Sequence, residues 1–183
     1  MTAWLRTLWI LMALPVLAAT GVGAQTFDDA FAGFGANSDE PIQIEAENLE
    51  VQDNQKSAVF SGSVVVSQGD ATLKTERLKV FYGGSLASSG ESGLQQSISR
   101  LEAAGGVFIS SKDQTATGDD ANFDMEKNVM VMTGERVVLS QGPNVVVGSK
   151  LTVNLETGKV DLVSQNTGRV KMLLQPNSLQ NNN

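Results

Sequence analysis

The sequence predicts an all-β chain of stacked, mostly antiparallel strands. An apolar pattern recurs four times, as Ile44-x-Ala46-x-x-Leu49-x-Val51, Leu73-x-Thr75-x-x-Leu78-x-Val80, Ala116-x-Gly118-x-x-Ala121-x-Phe123 and Val146-x-Gly148-x-x-Leu151-x-Val153. The copies start 29, 43 and 30 residues apart, and a period of that size marks a stacked architecture with an insertion in the middle interval. Each copy also changes parity: Ile44 and Ala46 share one face of a strand, whereas Leu49 and Val51 fall on the other. A bulge or bend must intervene, and the small residue before each flip suits a strand turning a corner from one sheet to its partner. A glycine-led run precedes the later copies at Ser61 to Val66, Ala104 to Ile109 and Thr133 to Leu139, the last with one residue inserted, and an incomplete unit opens at Thr167. These glycines either mark a second bend or simply end strands.

Taken in order, residues 1–24 are expected to be a signal peptide. Arg6 supplies the positive region, Leu8 to Ala19 a short apolar core, and Val22-Gly23-Ala24 a cleavage site, so the exported chain begins near Gln25. About 12 apolar residues interrupted by Pro15 are too few to span a bilayer, which needs about 20; an uncleaved anchor is the weaker alternative. Residues 25–40 form an arm with Phe27, Phe31 and Phe34 at helical spacing, but Gly33 and Gly35 favour a loose, mostly disordered segment. Strands occupy residues 41–174. Polar turns are expected at Asp53 to Lys56, Glu126 to Asn128 and Glu156 to Lys159, which makes neighbouring strands antiparallel. A Gly/Ser-rich insertion near 83–99 reads as a flexible excursion, and residues 175–183 as a polar, frayed tail.

Composition excludes several functions. The chain has no histidine and no cysteine, so the commonest general base, the commonest zinc ligands and any disulfide scaffold are missing. A net charge of -7 without a basic run excludes nucleic acid as a partner, because phosphate binding needs clustered cations. Both tryptophans, Trp4 and Trp9, leave with the signal peptide, which makes carbohydrate stacking improbable. The carboxylates Glu45 and Glu47, or Asp119 and Asp120, are candidates for acid–base or calcium chemistry. Yet Glu47, Glu76 and Asp119 recur at one position of the repeat, as structural residues do. No catalytic residue, metal ligand or cofactor is expected.

The chain is instead rich in aliphatic strand residues. Runs such as Val129 to Met132, Val64 to Val66 and Val145 to Val147 are apolar on both parities; any one of these residues reads best as ordinary sandwich core, but the run as a whole leaves a second face to be covered by something. Methionine adapts to irregular partners such as acyl chains, and each methylene buried gains roughly 0.8 kcal/mol. The inward positions expected to bind lipid are Ile42, Ile44 and Leu49 in the first repeat, and Phe60, Val64, Val66, Leu73 and Leu78 in the second. Val107, Ile109 and Phe123 follow in the third, and Met130, Met132, Leu139, Val147, Leu151 and Val153 in the fourth.

The stretch Pro41-Ile42-Gln43-Ile44-Glu45-Ala46, followed by Ala58 to Gly69 and Leu73 to Val80, closely resembles the OstA-like family. Similarity extends over about Pro41 to Leu179. The resemblance implies an open, twisted β-jellyroll with an apolar interior in the periplasm of a Gram-negative envelope. It implies lipopolysaccharide, held by its lipid A acyl chains, as ligand, and head-to-tail self-association into a bridge between inner-membrane and outer-membrane jellyroll partners. The resemblance also implies that a partner ATPase complex at the inner membrane supplies the energy. By the same resemblance, Pro41, Ile42 and Ile44 lie on the edge strand facing the inner-membrane partner, and Val170, Met172 and Leu174 on the edge facing the outer-membrane partner. Three alternatives stand beside this one: a structural exported β-solenoid, a polysaccharide-cleaving enzyme on a β-helix, and the N-terminal OstA-like domain of an outer-membrane lipopolysaccharide-insertion protein.

Overall fold

The computed structural model describes residues 40–83, 98–164 and 168–175. The expected signal peptide, nearly all of the Phe-containing arm, most of the Gly/Ser insertion and most of the tail lie outside these residues. Ten strands follow one another: β1 (Gln43–Glu45), β2 (Asn48–Gln52), β3 (Ser57–Gln68), β4 (Ala71–Tyr82), β5 (Ile98–Ser111), β6 (Gln114–Asp124), β7 (Val129–Gln141), β8 (Asn144–Asn154), β9 (Val160–Val163) and β10 (Lys171–Leu173). They form one antiparallel sheet in the order β1-β3-β4-β5-β6-β7-β8-β10, with β2 also paired to β3 and β9 to β8. Each edge is therefore a strand broken in two. β1 and β2 cover the two halves of β3, as β10 and β9 cover the two halves of β8.

The parity change is real, and the pairing explains it. Phe60 pairs with Leu78 and Val64 with Thr75, so three residues of β3 face two of β4 at the corner. Ala103 pairs with Ala121 and Val107 with Gly118, again three against two, and between Met132/Leu151 and Val137/Gly148 four residues face two. The last case is the inserted residue seen in the third glycine run, Thr133 to Leu139. The strand with the shorter count places two consecutive residues outward (Glu76 and Arg77; Asp119 and Asp120) and resumes alternation on the opposite parity. Its apolar residues thus stay on one side of the sheet through the bend. The longer strand absorbs its extra residue at glycine, with Gly62 at φ +83° and Gly105 at φ +87°, a region costly for residues with a Cβ. These glycines lie inside β3 and β5 and do not end them. One expectation is corrected. Strands do not pass from one sheet to another, because the hydrogen bonding resumes with the same neighbour beyond each bulge, and a single sheet is folded on itself.

The recurrent acids fit the corner. Glu47 lies over Gly62 and accepts a hydrogen bond from Ser63 Oγ (3.3 Å), while Asp119 Oδ2 accepts the N–H of Glu135 (2.8 Å) beside Gly134. At the equivalent place Glu76 packs against Gly105. Thr75 Oγ1 donates to the Ala104 carbonyl (2.8 Å), satisfying a polar group buried at the bend.

The turns at one end of the sheet fall where expected: a short 3₁₀ turn at Asp53–Gln55, the Met125–Asn128 turn and the Glu156–Lys159 turn. Lys127 bonds Asp124 with its side chain and its backbone N–H, which holds the pKa of that part-exposed carboxyl below its ordinary value. The tight turns at the other end, Gly69-Asp70, Lys112-Asp113 and Gly142-Pro143, are shorter and join the long strands directly.

The described residues contain one sheet and no second layer, so the inner face of each arm is covered by the inner face of the other. One apolar cluster, from Val64 and Leu73 through Ile109, Phe123 and Met132 to Leu151 and Leu155, spans both arms. At the corner the small residues of the repeat leave no room for a side chain. A Cβ on Gly118 would stand 2.6 Å from Met132 Cγ, and one on Gly148 would stand 2.8 Å from Leu162 Cγ. Gly118→Ala is expected to destabilise the fold by about 1–3 kcal/mol through overpacking, read as a lower midpoint in urea denaturation with an unchanged slope.

Candidate apolar groove and edge strands

The inner face can be followed row by row, because cross-strand partners share a face. In one arm a row runs Ile44, Val66, Leu73, Ile109, Ala116, Leu139, Val146, Met172; in the other, Leu49, Phe60, Leu78, Ala103, Ala121, Met132, Leu151, Leu162. A further row from Val51 through Phe123, Met130 and Val153 ends at Val160. Most positions expected to bind lipid stand on these rows or beside them.

Their surroundings differ sharply along the stack. In the middle, Val64, Leu73, Leu78, Ile109, Phe123, Met130, Met132, Leu151 and Val153 have no accessible surface, and Val66, Val107 and Leu139 are nearly as closed. These residues form a packed core in which the two arms cover one another. At the N-terminal end Ile42, Ile44 and Phe60 are only partly buried, and Leu49 and Val51 are 57% and 50% exposed. At the C-terminal end Val160 and Leu162 are partly buried and Met172 is 54% exposed. The inner face is thus closed in the centre and open at both ends.

One expected lining residue is misplaced. Val147 pairs with Val138 and Lys171 on the outer face, while its neighbour Val146 is the buried one. Pro41 is exposed just before β1, Ile42 and Ile44 sit at the N-terminal edge, and Val170, Met172 and Leu174 are exposed at the C-terminal edge. Among the described residues, no strand pairs with the outer side of either edge.

The bend also carries a feature that the sequence did not announce. A shallow cavity of about 440 Å3 opens beside exposed Lys74, Glu76 and Phe108, over a floor that includes Gly106 and Gly118. It arises where consecutive glycines leave the corner without side chains, a consequence of pairing that sequence spacing cannot show. Among the described residues no cluster of carboxylates has the arrangement of a metal site.

Comparison with known proteins agrees with this geometry. The family model described as LptA/(LptD N-terminal domain) LPS transport protein matches residues 43–159. An uncharacterised protein of Rhizobium meliloti (strain 1021) is 38% identical over 168 residues, covering 91% of this chain and 88% of the relative. The lipopolysaccharide export system protein LptA of Escherichia coli (strain K12) is 26% identical over 156 residues, covering 84% of this chain and 80% of the relative. Among solved structures, LptH of Pseudomonas aeruginosa, described as the LptA homologous periplasmic component of the lipopolysaccharide transport device, matches with a TM-score of 0.62 at 20% identity. It covers 77% of this chain and 99% of that one. The shared fold is the open β-jellyroll.

The contrast between centre and ends has a direct test. Leu73→Ala is expected to cost about 2–5 kcal/mol, because it leaves a cavity in closed packing, whereas Leu49→Ala at the open end costs less than about 0.5 kcal/mol. Equilibrium urea unfolding of the two variants measures the difference.

Proposed function

Since this chain belongs to the LptA/(LptD N-terminal domain) family of lipopolysaccharide transport proteins, we propose that it is a non-enzymatic periplasmic carrier. It holds the acyl chains of lipopolysaccharide against its inner face, and it joins similar jellyrolls head to tail in a bridge from the inner to the outer membrane. The observation that carries this proposal is the graded closure of the inner face: apolar rows packed in the centre and exposed at both ends.

Physical chemistry makes such a face a conduit. At the ends, Leu49, Val51 and Met172 already meet water, so covering them with hydrocarbon is a net gain of roughly 25 cal/mol per Å2 of apolar surface removed from water. In the centre an acyl chain must part the two arms. There it replaces apolar side-chain contacts with apolar lipid contacts, an exchange that burial alone leaves nearly balanced. Met130 and Met132, fully buried and conformationally adaptable, suit that repacking. Weak, near-neutral binding in the middle suits movement along the stack better than a tight site does.

The edges supply the joining chemistry. An unpaired edge strand accepts another strand through main-chain hydrogen bonds, and a head-to-tail interface continues without closing. The N-terminal edge would take the inner-membrane jellyroll partner and the C-terminal edge the outer-membrane one.

A photo-crosslinker at Ile44 or Phe60 is expected to capture lipopolysaccharide in cells, and one at Lys74 or Lys79 is not; equal capture at both pairs contradicts the assignment of faces. Ile44→Asp is expected to weaken capture severalfold with an unchanged circular dichroism spectrum, because Ile44 is only partly buried. Loss of the β spectrum would place it in the essential core instead.

A further inference from the structure

The two broken edges match one another residue by residue. From the N-terminal edge through β3 to β8 and the C-terminal edge there are seven antiparallel steps, so the two edges run in opposite directions. A second copy shifted along the stack therefore presents an antiparallel neighbour, with β10 beside its β1 and β9 beside its β2. Continuing the cross-strand rows over the joint brings Met172 opposite Ile44, Leu162 opposite Leu49 and Val160 opposite Val51, all on the inner face. On the outer face the row that begins at Glu45 and Val65 ends at Val147 and Lys171. The same continuation sets Lys171 of one copy directly opposite Glu45 of the next.

Charge supports this order. The N-terminal edge, residues 40–53, carries Glu40, Glu45, Glu47, Glu50 and Asp53 and no lysine or arginine. The C-terminal edge, residues 159–173, carries Lys159, Arg169 and Lys171 against Asp161. Glu45 and Lys171 are both exposed, and among the described residues no carboxylate forms an ion pair with Lys171. Asp161 would face Glu50, an unfavourable pair, with Lys159 two residues along on the same face.

Resting on the head-to-tail reading above, we infer that a second copy of this chain docks in this one register, and that the facing Glu45 and Lys171 select it. Opposite charges directly across a sheet stabilise and like charges destabilise. The acidic edge meeting the basic edge also steers the copies into the productive order. A slip by one residue is excluded by the alternation of the strand: it sets Lys171 opposite Ile44, against the apolar interior, and turns Met172 out to water.

The test uses the chain expressed from Gln25, with self-association measured by analytical ultracentrifugation at low salt. Glu45→Lys and Lys171→Glu are each expected to weaken association about threefold to tenfold, and the double variant to recover to within about twofold of the unsubstituted chain. Because the chain is free of cysteine, a second arm reads the register directly. Ile44→Cys with Met172→Cys should oxidise to a ladder of disulfide-linked copies, whereas Gln43→Cys with Met172→Cys, on opposite faces, should not. No recovery in the double charge variant, or equal cross-linking by both cysteine pairs, overturns the register while leaving head-to-tail assembly intact. Failure of the unsubstituted chain to self-associate at any concentration overturns both.

Discussion

Every long strand of this protein must bury the same side of the sheet on both halves of a corner, and the rest of the structure follows from how that constraint is met. A strand alternates faces strictly, so a bend without a change of count would turn one half of its apolar residues outward. Setting three or four residues against two at each corner removes the conflict. Glycines absorb the extra residue on one strand, and outward-facing acids and Arg77 occupy the doubled positions on the other. The result is a single sheet folded so that its own inner faces make the core, with no α-helix and no second sheet among the described residues.

Such a core is repetitive, and its ends are incomplete for the same reason. Each strand is covered by the strand opposite and by its two neighbours, so the first and last positions lack cover that every middle position has. Leu73 and Met130 are closed while Leu49 and Met172, on the same kind of row, are more than half exposed. A hydrocarbon chain or another copy of the fold would satisfy that deficit, the first by filling the inner face and the second by extending it. The proposed lipid carriage and the proposed end-to-end joining would thus draw on one physical feature, and an apolar interior running on through a joint would serve both.

Particular residues show where sequence reasoning succeeds and where it stops. The flip between Thr75 and Leu78, the extra residue before Val137 and the small residue Gly118 at its corner were readable because parity and size are local properties of the chain. Val147 was assigned to the wrong face because Val145, Val146 and Val147 are chemically alike, and a run apolar on both parities holds no phase. Only its pairing with Val138 and Lys171 sets the phase. The cavity beside Phe108 was unreadable for a related reason, since Lys74, Gly106 and Gly118 meet only after three strands align.

By itself the sequence determined the all-β class, the four bent repeats, the turns at one end of the sheet and the absence of histidine and cysteine chemistry. These depend on periodicity and composition, which are properties of neighbours along the chain. Tertiary structure alone decided that the corners belong to one continuous sheet, that the centre of the apolar face is packed shut while its ends stay open, and that Glu45 and Lys171 finish the two ends of one row. Those facts depend on register and on which surface covers which, and they exist only once distant strands are hydrogen-bonded side by side.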